Sequence, residues 1–313
     1  MVPALVARLL PTPRYTRTVA LALALTASVA GCGKSGAPSQ GSKLTVVAAE
    51  NFWGSIASQL AGERASVTST IVNPNTDPHS YEPNAADARR LAGAQLMVVT
   101  GIGYDAWADR LLAASPLPGR TVINVGKELG LATGANPHQW YSPAHVRLIA
   151  EHISAALAHQ DSADASYFAQ RKTAFLHEGL ARYDQLRAQI RARYAGVPVG
   201  YSESIFQPLG EDLGLKLLTP YSYAKAIAEG TDVTAQDKQT VDAQTSAGQI
   251  KVWIFNSQNV TPDVQRVNAI AREHHIPIAT VTETLTPPSA SFQQWQVSEL
   301  EGLAAALHSA TGR

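Results

Sequence analysis

A chain of 313 residues with 25 basic and 25 acidic side chains carries no net formal charge, which leaves no electrostatic footprint for nucleic acid or for an anionic lipid surface. Its one cysteine, Cys32, excludes an internal disulfide and a CxxC-type cluster. At this length two lobes are expected rather than a single core.

The N-terminus carries Arg8, Arg14 and Arg17, and no acidic residue occurs before Glu50. Residues 19–30 form an apolar run of about a dozen residues, short of the roughly 20 that span a bilayer but suited to the apolar region of a signal peptide. Val29-Ala30-Gly31-Cys32 fits a bacterial lipobox, in which small residues admit the signal peptidase and the cysteine sulfur is acylated. Cleavage before Cys32 is therefore expected, with a lipid anchor on Cys32 that tethers the chain to the membrane without spanning it. The mature chain loses three arginines and keeps 22 basic against 25 acidic residues, a net charge near −3. No later apolar stretch is long enough to cross a membrane, so the body is expected outside the cytoplasm, periplasmic or at the cell surface.

Residues 33–42 are rich in Gly, Ser and Pro and read as a flexible tether. Beyond them, β-prone runs at 44–49, 67–72, 96–100 and 121–124 alternate with helical patterns near 53–62, 85–92 and 104–114. This alternation predicts a parallel sheet covered by helices. Runs at 197–201, 216–218, 251–255 and 278–282 repeat the theme. Between the halves, 143–194 reads as a long helical stretch, nicked near 160–162, with Phe168, Phe175, Leu176, Leu180, Tyr183, Leu186, Ile190 and Tyr194 on one face. Gly196 and Pro198 end it. The fold class predicted is α/β: two lobes, each a mostly parallel sheet covered by helices, joined by one long rigid helix. The division is 1–31 signal peptide, 32–42 tether, 43–142 N-terminal lobe, 143–195 connecting helices and 196–313 C-terminal lobe.

In such lobes ligands sit beyond the carboxyl ends of strands. Four segments there carry metal-type side chains: His79 after the second strand, His138 after the fourth, Glu203 after the fifth and Glu283 after the last. Both histidines follow a proline, Pro78 and Pro137, whose fixed φ restricts where the imidazole points. Neutral imidazoles and carboxylates together suit borderline first-row cations. Two histidines from one lobe and two glutamates from the other would place one ion in the cleft. Taken singly, each of the four reads as an ordinary loop or strand-end residue; their shared topological edge makes the case. His145, His152 and His159 recur every seven residues, about 10 Å apart along a helix axis, too far to share an ion. No HExxH, nucleophile elbow or Walker-type loop occurs, and Gly101-Ile-Gly103 is a turn rather than a dinucleotide site.

At these residues the sequence resembles the metal-binding solute receptors of bacterial ABC importers, from about Leu44 to Leu307. Asp77-Pro-His79-Ser-Tyr-Glu-Pro83 and Asn136-Pro-His138-Gln-Trp140 are similar to that family's first two ligand motifs. The third ligand falls on Glu203 in Tyr201-Ser-Glu-Ser-Ile-Phe206, and the fourth on Glu283. Gly103-Tyr-Asp-Ala-Trp107 resembles a stretch between the motifs and is taken as structural. Three departures stand out: Asn256-Ser-Gln258 where many members carry Glu after the penultimate strand, Glu283 where Asp is common, and no His/Asp-rich loop. The resemblance implies an extracytoplasmic solute-binding protein that captures Zn2+ or Mn2+ and delivers it to an ABC transporter permease. No catalysis and no nucleic acid are expected, and the protein is expected to act as a monomer. Two other readings of the same ligands are a metal-containing surface lipoprotein or adhesin, and a metallohydrolase. The latter requires an open coordination position and a base that no residue here supplies.

Overall fold

The computed structural model describes residues 43–313. The expected signal peptide, Cys32 and the expected tether lie outside the described residues. From residue 44 the chain alternates strands and helices: β1 (Leu44–Glu50), α1 (Asn51–Ala61), β2 (Ala65–Ile71), α2 (Ala85–Ala92), β3 (Leu96–Val99), α3 (Ala106–Ala114), β4 (Thr121–Asn124) and the single turn α4 (Val125–Glu128). The four strands pair in parallel in the order β2-β1-β3-β4. The middle of β1 is apolar because it is covered on both faces: Val46, Val47, Ala48 and Ala49 have no exposed surface.

The second half repeats this topology. β5 (Pro198–Tyr201), β6 (Lys216–Leu217), β7 (Val252–Asn256) and β8 (Ile278–Val281) form a parallel sheet in the order β6-β5-β7-β8. In both sheets the chain departs to one side of its first strand and returns on the other, which opens a crevice at the carboxyl ends of β1/β3 and of β5/β7. Those ends carry Glu50, Thr100, Glu203 and Asn256.

The connector is a series of helices. α5 (Pro143–Gln160) starts on Ser142, whose hydroxyl accepts from the His145 N–H, with Pro143 in its first turn. It stops at Asp161, and a short 3-10 turn (Ser162–Asp164) leads into α6 (Ala165–Ala174). A π-helical turn (Phe175–Gly179) then joins α6 to α7 (Ala181–Tyr194). The expected nick at 160–162 thus separates α5 from the remainder, and the long rod comprises α6, the π turn and α7. The stripe from Phe168 to Tyr194 is buried as its spacing required. Five further helices complete the second half: α8 (Gln207–Asp212), α9 (Tyr221–Ala228), α10 (Ala235–Ser246), α11 (Pro262–Glu273) and α12 (Phe292–Thr311).

One apolar core runs through both sheets and the connector, from Leu44 to Leu307. Aromatic rings mark its path: Phe52 stacks on Trp140 at 3.8 Å, Tyr141 meets Trp295 edge-on at 5.7 Å, and Phe292 lies between Trp295 and Tyr183. Each fully buried aromatic contributes roughly 1.5–3 kcal/mol. Polar bonds tie the halves as well. Tyr141 Oη donates to Thr282 O, Asn136 Nδ2 donates to Ser204 O, and Asn51 Oδ1 accepts from the Leu285 N–H.

Candidate metal centre

The loop after β2 carries His79. Asp77 Oδ1 accepts from the His79 N–H at 2.9 Å, and Asp77 Oδ2 accepts from Ser80 Oγ at 2.9 Å. This Asx turn, with Pro78 inside it, fixes the backbone under the imidazole. The loop after β4 repeats the device: Asn136 Oδ1 accepts from the His138 N–H at 3.1 Å. The same oxygen lies 2.8 Å from His138 Nδ1. A carbonyl oxygen only accepts, so Nδ1 carries the hydrogen and Nε2 presents its lone pair.

Glu283 follows β8 by two residues. Its N–H and that of Thr284 donate to Gln258 Oε1, at 2.9 Å and 3.0 Å, which holds the loop in place. Tyr104 Oη donates to Glu283 Oε1 at 2.8 Å. Tyr104 is delivered by the turn Gly101-Ile102-Gly103, all three at positive φ (70°, 60° and 91°). Gly101 has no alternative, because a Cβ there would stand 2.2 Å from Asn124 Oδ1. A β-branched residue in the left-handed region, as Ile102 is, stores strain beside the site.

His79 Nε2 lies 3.9 Å, and His138 Nε2 3.4 Å, from Glu283 Oε1. All three ligand-type atoms fall within 4.8 Å of one another. Two donors about 2.1 Å from a common ion at a tetrahedral angle stand about 3.4 Å apart, so the spacing suits a first-row cation. Both Nε2 atoms are buried and have no hydrogen-bond partner. Buried polar atoms are nearly always satisfied, and two orphans aimed at one carboxylate call for a ligand between them. Burial holds the His138 pKa below its ordinary value despite the adjacent Glu283, keeping the ring neutral. Burial alone would raise Glu283; a proton on His138 or His79 and the hydrogen bond from Tyr104 act the other way, and the carboxyl is held below its ordinary value.

Glu203 stands outside this group of three. It is buried, with Oε1 taking the Asn256 amide and Oε2 taking Asn259 Nδ2 at 2.8 Å. Burial and the Glu283 charge push its pKa up to about 8, and the two amides pull it back part of the way. Four side chains that composition and spacing did not single out thus complete the centre: Tyr104, Asn256, Gln258 and Asn259. Asn256 and Gln258 fall on the departure from the family pattern noted above, and Tyr104 on the stretch taken as structural. Those were the available signals. His145 and His152 are engaged elsewhere, with Gln139 at 2.6 Å and with Glu128 at 2.7 Å. A cleft of about 270 Å³, lined by His79, Tyr104, Asn136, His138, Tyr221 and Lys225, reaches the two histidines.

Residues 46–306 match the model of the ZnuA family, described as the periplasmic component A of a zinc-uptake complex. The chain belongs to that family. Among its relatives, the manganese-binding lipoprotein MntA of Halalkalibacterium halodurans is 26% identical over 63% of this chain and 66% of that protein. The manganese ABC transporter substrate-binding lipoprotein PsaA of Streptococcus pneumoniae is 25% identical over 85% of this chain and 88% of its own length. Among solved structures, a manganese-bound mutant of a periplasmic metal-binding protein from Candidatus Liberibacter asiaticus superposes with a TM-score of 0.72. It is 20% identical and covers 85% of this chain and all (100%) of that one. FpvC of Pseudomonas aeruginosa, in complex with Mn2+, gives 0.67 at 22% identity, with 85% and 99% covered. These likenesses show a shared fold.

Proposed function

We propose that this member of the ZnuA family is the extracytoplasmic solute-binding component of an ABC importer, capturing Zn2+ or Mn2+ between its halves and handing it to the permease. The observation that carries this reading is the pair of buried, unpartnered imidazole nitrogens, His79 Nε2 and His138 Nε2, facing Glu283 Oε1. Their chemistry is capture. Two neutral imidazoles and carboxylate charge replace the ion's water, and Tyr104 and Gln258 fix the Glu283 carboxylate as an outer shell. Glu203 is the fourth ligand in reserve, beside Glu283 through the Asn256 amide. The ion is cargo, and the protein acts without catalysis. The lipoprotein relatives support an exported, membrane-anchored receptor; in this reading Cys32 carries the anchor and the monomer is the working form.

Calorimetric titration of the purified chain with Zn2+ and Mn2+ tests the reading. One ion per chain is expected, bound reversibly by an apo-protein that stays folded. Losing an outer-shell partner costs 10–100-fold in affinity, so removing a ligand in His79→Ala should cost about 100-fold or more, with the far-UV circular dichroism unchanged. His152→Ala should bind as the parent does. Parent-like binding by His79→Ala would remove the centre from the account.

A further inference from the structure

The two strands at the crevice of the second sheet set Glu203 and Asn256 side by side. Tyr201 of β5 pairs with Ile254 of β7, and two residues further along each chain lie Glu203 and Asn256. Asn256 has no exposed surface and no freedom to turn. Its N–H donates to Ser202 Oγ at 3.0 Å, and its Oδ1 accepts from the Gln258 N–H at 2.9 Å. The acceptor end of the side chain is thereby assigned, and Nδ2 must face the carboxylates. There it donates to Glu203 Oε1 and approaches Glu283 Oε2 at 3.4 Å. Asn259 Nδ2 donates to the other Glu203 oxygen at 2.8 Å and to Ile227 O at 3.1 Å. Both oxygens of Glu203 are therefore engaged by amides, while His79, His138 and Glu283 already form a three-atom set without it.

Resting on the metal-capture reading above, we infer that Asn256 and Asn259 are specificity-determining residues that bias this site toward ions content with few ligands. An ion satisfied by four ligands in a tetrahedron, as Zn2+ is, can use the two imidazoles, Glu283 and one further oxygen. Glu203 then keeps at least one of its amide bonds. An ion that seeks six or more contacts rich in oxygen, as Mn2+ does, gains both oxygens of Glu203 only by breaking both amide hydrogen bonds. The cost of freeing Glu203 thus falls more heavily on Mn2+. The departure from glutamate at position 256 matters for the same reason: a neutral amide donates to Glu203, whereas a third carboxylate would repel it.

The test is competitive titration of the full chain with Zn2+ and Mn2+ against a chromophoric chelator, for the parent, Asn259→Ala and Asn256→Ala. X-ray absorption of the manganese-loaded forms should accompany it. Freeing Glu203 should lower the ratio of zinc to manganese affinity about tenfold or more and add an oxygen neighbour to bound Mn2+. Equal loss for both ions, with an unchanged manganese shell, would mean the amides only orient Glu203 and would overturn the inference, as would no change at all. Asn256 is fully buried and its variant can fail to fold; Asn259 is half-buried and acts on the same carboxylate, so its variant decides alone. His79→Ala in the same series separates the two claims: if it binds both ions like the parent, the centre itself is misplaced.

Discussion

Each of the three converging side chains is steered by a neighbour close by in sequence or by one amide. Asp77 and Asn136 accept from the N–H two residues on and so aim His79 and His138, while Gln258 does the same for the Glu283 loop. This local steering is why the Asx-Pro-His motifs were legible in the sequence. The state of Glu203 was not, because whether it meets an ion or an amide depends on the register of β5 against β7, a contact across 53 residues. The site's acid–base chemistry predicts how binding responds to pH. Below its pKa of about 8, Glu203 carries a proton that an ion drawing on it must displace. His138 is held below the ordinary 6.5 and competes with protons only in more acid solution. Affinity for Mn2+, the ion that calls on both Glu203 oxygens, should therefore fall as pH drops from 8 to 6, by up to about tenfold per unit for each proton displaced. A flat profile in competitive titration over that range would show that no ligand titrates there.

At the scale of elements, periodicity located every strand to within about two residues, most plainly β3 and β7, since a parallel strand buried on both faces is a continuous apolar run. α2 and β4 fell on their expected bounds. The connector was harder to read. Its apolar stripe predicted burial correctly, but α5 and α6 pack against each other, and the reversal at 161–164 is written only in a short polar segment, Asp161 to Asp164. The turn after β3 links an element to the site. In Gly101→Ala a Cβ must sit at φ 70° and 2.2 Å from Asn124 Oδ1. That should cost more than about 1 kcal/mol in stability. By displacing Tyr104 it should also weaken metal binding. Thermal melting and titration check both, and a variant that melts and binds like the parent would deny the turn its role.

At the scale of the molecule, the continuous core and the bonds from Asn51, Tyr104, Asn136 and Tyr141 to the second half hold the two carboxyl-end crevices face to face. Two imidazoles from one sheet and a carboxylate from the other are thereby presented as one preformed group. The proposed lipid anchor on Cys32 has its own test. Labelled fatty acid should be incorporated by the full chain in a bacterial host, and Cys32→Ser should incorporate none and be released from the membrane; a labelled, membrane-bound Cys32→Ser would place the anchor elsewhere. The central claim is that one ion bridges the two halves at His79, His138 and Glu283. Anomalous diffraction from crystals of the protein loaded with Zn2+ or Mn2+ measures this directly. The account predicts a single strong peak about 2.0–2.2 Å from His79 Nε2, His138 Nε2 and a Glu283 oxygen. A peak bound elsewhere, with those three atoms left without a metal between them, would contradict it.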